Sequence, residues 1–255
     1  MGKNISHGII KEILKTLAEQ AGKISGAFKE DDIHKFRLGL KKLRAWLRLL
    51  AYTTGNKKIR LPLRLLRLYH IVGEIRETQI ELSFLTGNGL PVVAYLELLN
   101  EHMHNKQQEW NRHYDEKILK KARKKMAGFD LPEVAAGDVK AFVSHKKKRI
   151  HRLKTQPVIA DGCLHEIRKQ VKDILYVREI ARKACGIKME IHARKYKVAE
   201  EQIGDYNDKN QMLRRMIAKQ PTGGASKAYV DFCDESRTVL ALQKQDILAH
   251  GLMRR

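Results

Sequence analysis

Between residues 33 and 50 the apolar side chains fall at Ile33, Phe36, Leu40, Leu43, Leu47 and Leu50, steps of three and four that place them on one face of a helix. The same spacing runs through most of the chain, and the alternation that marks strands is absent. The fold class expected is therefore all-α. Turn-forming residues interrupt the pattern near 22–32, 53–57, 86–91, 128–137, 155–162, 185–188 and 220–226, and seven breaks predict eight helices. Pro62 and Pro91 sit near helix starts, where a missing amide hydrogen costs little. Asp31 or Asp32 is the expected N-cap of the second helix and Asp161 of the sixth.

The central break divides the 255 residues into two four-helix halves, 1–130 and 131–255. One ungapped shift of 131 residues matches them across about fifty residues. His34 meets His165, Arg37 meets Arg168, Lys41 meets Lys172 and Gly73 meets Gly204. The rarer His and Gly matches favour an internal duplication over chance in a chain rich in Lys, Arg and Leu. Two related four-helix halves in tandem are therefore expected.

The chain has 51 Lys and Arg against 29 Asp and Glu, a formal charge of +22, which favours a polyanionic partner. Much of that charge is ordered. His34, Arg37, Lys41, Arg44 and Arg48 form a row on the second helix, with Lys42 beside it and no acid from 34 to 48. Like charges three and four apart oppose a helix by a few tenths of a kcal/mol per pair, so a merely soluble face would mix in Glu. Leu38, Ala45 and Leu49 border the row on its other side, the pattern of a groove wall. A solvated basic face explains one such helix equally well; its repetition in His165, Arg168 and Lys172, with Lys169 and Tyr176 alongside and Leu164, Ile167, Val171 and Ile174 facing the core, argues against that. Weaker cationic candidates are Lys148 and Arg152 in the run from His145 to Lys154, and Arg60, Arg64 and Arg67 on the third helix.

The motif His34-x-x-Arg37-x-x-x-Lys41-Lys42-Leu43-Arg44-x-x-x-Arg48 resembles the first signature of the CHAD domain, the conserved histidine α-helical domain. Leu164-His165-x-x-Arg168-x-x-x-Lys172 followed by Tyr176 resembles its second. Val72-Gly73-Glu74-Ile75-Arg76-Glu77 and Ile203-Gly204-Asp205-Tyr206-Asn207-Asp208 resemble the turn-rich signatures that follow each. The resemblance implies two pseudo-symmetric four-helix bundles in tandem around a basic central channel, non-catalytic binding of inorganic polyphosphate and association with polyphosphate granules. It assigns that role to the two rows, to Arg76 and to the neighbouring cations. Asp173 and Leu175 depart from the second signature, where cations are usual, so the second half is expected to bind less than the first. Glu77 and Asp208 read as acids that orient nearby Arg residues.

Polyphosphate suits this composition because it offers charge without bases to read. Arg makes two-pronged contacts to phosphate oxygens, Lys a point contact, and His a donor that charges as pH falls. A nucleic-acid-binding protein that grips the phosphate backbone is the alternative; helix-turn-helix, zinc-finger and RNP-type patterns are absent. No phosphate-binding Gly loop or HExxH motif points to an enzyme. His102 and His104 project about 200° apart on a helix and do not share a metal easily, and no cofactor is implied. Glu30, Asp31 and Asp32 are better read as acids at a helix start than as a Mg²⁺ site. Cys163, Cys185 and Cys233 are too scattered for a metal or disulfide framework. No apolar run approaches bilayer length and no secretory leader is evident, so a soluble, cytoplasmic protein without a membrane partner is expected.

Overall fold

The structure is a computed structural model that describes residues 5–87, 93–218 and 227–250. Among these residues it is all-α: α1 (Ile5–Ala27), α2 (Glu30–Thr54), α3 (Leu63–Gly87), α4 (Val93–His113), α5 (Lys117–Ala127), α6 (Ala136–Lys154), α7 (Asp161–Cys185), α8 (Ala193–Ala218) and α9 (Lys227–His250). The ninth helix arises from a break that the apolar spacing does not reveal. At 114–116 the Asp115 carboxylate accepts the Lys117 amide at 2.9 Å and the Asp115 carbonyl accepts that of Ile118 at 2.8 Å, a local turn that separates α4 from α5. The first 130 residues thus hold five helices where four are expected. Pro91 and most of the expected breaks at 86–91 and 220–226 lie outside the described residues.

The helix starts also differ from expectation. α2 begins after Lys29, which is extended and caps nothing, and Asp31 and Asp32 lie inside its first turn, where acids favour the helix dipole. Phe28, with φ of 48°, and Lys29 turn the chain directly from α1 into α2, and the Gln79 amide donates to the Phe28 carbonyl at 2.9 Å. Gly55, at φ of 68°, ends α2 in the left-handed conformation that side chains oppose.

The described residues group into two compact units interleaved along the chain. The first takes Met1–Gln79, Met103–His145 and Tyr176–Glu190; the second takes Ile80–His102, Lys146–Leu175 and Ile191–Arg255. Residue 130 lies within the first unit, and α3, α4, α6 and α7 each contribute residues to both.

In the first unit the anticipated face of α2 is the core. Ile33, Phe36, Leu40, Leu43, Leu47 and Leu50 are all buried with Leu14, Leu17 and Ile24 of α1 and Leu65, Leu68 and Ile75 of α3. Each such side chain contributes about 2 kcal/mol when withdrawn from water. Trp110 stands edge-on to Phe36 at 5.4 Å and donates its indole N–H to Ser25 at 3.0 Å. In the second unit Leu164, Ile167, Val171 and Ile174 of α7 are fully buried, together with Ile203, Tyr206 and Leu213 of α8.

Asp161 does not cap its helix. Its carboxylate accepts hydrogen bonds from Tyr206 at 2.7 Å, Asn210 at 3.1 Å, Arg214 at 2.6 Å and Lys244 at 2.8 Å, tying the start of α7 to α8 and α9. Partial burial pushes its pKa up, but the Lys244, Tyr206 and Asn210 hydrogen bonds outweigh this and hold it at about 2. The folded-state pKa is depressed, so the stabilisation is complete above the ordinary carboxylate pKa of about 4 and is lost as pH falls toward 2. Asp161→Asn is expected to cost about 2 kcal/mol at neutral pH and progressively less on acidification. Urea unfolding of both chains at neutral and acid pH measures this.

Candidate anion-binding site

The cationic row of α2 runs between two buried borders. Leu40, Leu43 and Leu47 on one side and Ala45 and Leu49 on the other are at most 1% exposed, while Lys41, Arg44 and Arg48 are half-buried between them. Tyr69 of α3 faces the row. The Arg44 guanidinium lies 4.9 Å and that of Arg37 5.4 Å from its ring centre, within the range of cation–π attraction.

Arg37 also presses against α3 at Gly73. A Cβ at that position would sit 2.4 Å from Arg37 Nη1, so glycine is what admits the guanidinium. Arg37 has no carboxylate partner among the described residues, and its Nη1 is buried without a hydrogen-bond acceptor. Leaving such a donor unsatisfied costs about 1–3 kcal/mol, so the Arg37 guanidinium is short of an acceptor.

His34 is exposed at the start of the row. Local burial and then the charges of Arg76, Lys41 and Arg37 hold its pKa below the ordinary imidazole value against the opposing pull of Asp31, so it is neutral at pH 7. Two other expected members are neutralised. Arg76 donates to Glu30 in the first turn of α2, and Lys42 lies 2.9 Å from Glu179, which also takes Lys183 at 2.9 Å. Arg64 and Arg67 are exposed on α3, Arg67 lies 3.5 Å from Glu109, and Arg60 precedes the helix on which it was expected.

The second unit repeats the arginine-on-glycine contact. A Cβ at Gly204 of α8 would lie 2.6 Å from Arg168 Nη2 and 3.0 Å from its Cζ. Each arginine rests on the glycine 36 positions further along, so the internal offset of 131 is expressed in packing. Here the cations have carboxylates. Arg168 Nε donates to Glu200 Oε1 at 3.1 Å, Lys172 Nζ lies 2.9 Å from the same oxygen, and Asp208 is 3.7 Å from Arg168 Nη1. Lys169 is held by Glu166 at 2.7 Å. Burial, then Lys169 and Arg168, keep the exposed His165 below the usual imidazole pKa.

Asp173 is buried and pairs with Lys146 at 2.8 Å, which explains an acid where the resemblance led one to expect a cation. Lys148 and Arg152 are exposed and make no ion pair among the described residues. Tyr176, on α7, is half-buried and packs against the core of the first unit. Among the described residues no cluster of His, Cys, Asp or Glu can hold a metal ion, and the three cysteines are free. Tyr69 and Glu200 were missed as determinants, although they too stand 131 apart in the sequence.

Gly73→Ala favours the helix by about 1 kcal/mol yet obliges the Arg37 guanidinium to shift from its place against α3. The variant is expected to melt no lower than the native chain while its affinity for anions falls, and paired melting and anion-titration curves check both halves of that statement.

The described residues contain no helix long and apolar enough to cross a membrane. A search of solved structures finds similarity to the crystal structure of the CHAD domain from the plant Ricinus communis, with a TM-score of 0.69 and 14% identity, covering 98% of this chain and 88% of the other. At that identity the likeness concerns the fold. No curated protein matches the chain. The family model for the CHAD domain matches residues 8–216, from α1 into α8. The likeness carried by four short motifs thus extends over most of the sequence, and the chain belongs to the CHAD domain family.

Proposed function

We propose that the chain binds inorganic polyphosphate along the α2 row, without chemical change to it, and that this draws the protein to polyphosphate granules. The single observation that carries this reading is Arg37: a half-buried guanidinium in a row with His34, Lys41, Arg44 and Arg48, flanked by an aromatic ring and lacking a carboxylate. An anion of repeating phosphate units matches such a row, since every unit offers oxygens to successive turns of the helix. Lys148 and Arg152 are exposed cations on α6. Lys42, Arg76 and Lys169 are already held by Glu179, Glu30 and Glu166 and contribute less.

Binding to immobilised long-chain polyphosphate is expected to weaken steeply as salt rises, because contacts to phosphate release counterions. Arg37→Ala lowers affinity by about tenfold at unchanged helical content. Flat salt dependence, or displacement of polyphosphate by DNA or RNA at equal phosphate concentration, would transfer the assignment to another class of partner. Release of orthophosphate on incubation with Mg²⁺ would count against a purely binding role.

Affinity is expected to rise as pH falls below the ordinary imidazole pKa of about 6.5, since the His34 pKa lies below that value and the imidazolium form favours an anion. Titrations with the native chain and with His34→Gln separate this contribution from that of other groups.

A further inference from the structure

We infer that Glu200 is an internal anion that occupies the phosphate position at Arg168 of the second repeat, a position at which Arg37 of the first repeat has no carboxylate. The inference rests on the polyphosphate reading for the identity of the external ligand.

The argument comes from positions that correspond at the offset of 131 residues. Arg37 and Arg168, Lys41 and Lys172, and Gly73 and Gly204 are the same residues in both repeats, and both arginines lie against their glycines. Position 69 is Tyr and position 200 is Glu. Tyr69 offers a ring face to Arg37, which orients the guanidinium and leaves its charge intact. Glu200 offers a carboxylate whose Oε1 lies 3.1 Å from Arg168 Nε and 2.9 Å from Lys172 Nζ. One oxygen joining an arginine to a lysine is the contact a phosphate oxygen would make.

The three side chains are only 20%, 17% and 19% exposed, so water and salt screen their attraction poorly. Burial raises the Glu200 pKa, but Lys172 and Arg168 outweigh it, and the carboxyl stays below its ordinary range. An incoming phosphate must therefore displace a bound anion at Arg168, whereas at Arg37 the Tyr69 ring stands in that place and no carboxylate has to be displaced.

The test compares the native chain with Glu200→Gln and Glu200→Tyr, the latter copying the residue of the first repeat. Polyphosphate affinity is expected to rise about tenfold in either variant. Arg168→Ala is then expected to remove that gain, while costing the native chain far less than Arg37→Ala does. Tyr69→Glu is expected to close the first repeat and lower affinity about as much as Arg37→Ala.

Melting curves in orthophosphate alone give a readout that does not depend on polyphosphate. Without its internal anion, Glu200→Gln is expected to melt lower than the native chain in phosphate-free buffer and to recover more as orthophosphate is added. Equal phosphate responses in variant and native chains, or equal losses from Arg37→Ala and Arg168→Ala, overturn the inference. A native chain that fails to bind polyphosphate, accompanied by a gain in orthophosphate response in Glu200→Gln, would instead overturn the functional proposal and leave the internal anion established.

Discussion

The packing of an arginine guanidinium against a glycine on the neighbouring helix creates a particular electrostatic problem. It brings a permanent charge into a helix–helix contact where hydration is incomplete, as the buried Nη1 of Arg37 shows. Glycine leaves the space for it, since a Cβ at 73 or 204 would oblige the guanidinium to move. Once the charge is there, the surroundings must compensate for its lost water by other means, and the two repeats do so with different chemistry.

The first repeat uses polarisable surface. Tyr69 lies within cation–π distance of two arginines and carries no opposing charge. The second uses a carboxylate, with Glu200 bridging Arg168 and Lys172. Duplicated helices that share nearly the same cations thereby surround their corresponding arginines differently. A formal charge of +22 is a poor guide to where an anion would go, since Lys42, Arg76, Lys146 and Lys169 already have acidic partners.

The parts legible in the sequence are those set by local periodicity. The buried faces of α2 and α7 match the three- and four-residue spacing of Ile33 to Leu50 and of Leu164 to Ile174 because a helix turns every 3.6 residues wherever it occurs. The α4–α5 break was not legible: it depends on Asp115 bonding to the backbone, while apolar residues continue at Tyr114 and Ile118 on either side. Asp161 shows the same limit from the other direction. Its place at a helix start suggests a cap, yet donors from Tyr206 to Lys244 claim its carboxylate.

The helical class, the family signatures, the 131-residue offset and the cationic rows follow from sequence alone, because each is a matter of residue type at regular spacing. Which cations remain without an acid was decided only by tertiary structure. The acid that holds Lys42 is 137 residues away, that of Arg76 is 46 away and that of Arg168 is 32 away. An ion pair needs its partners within about 4 Å, and no periodicity along a chain specifies that distance between helices remote in sequence.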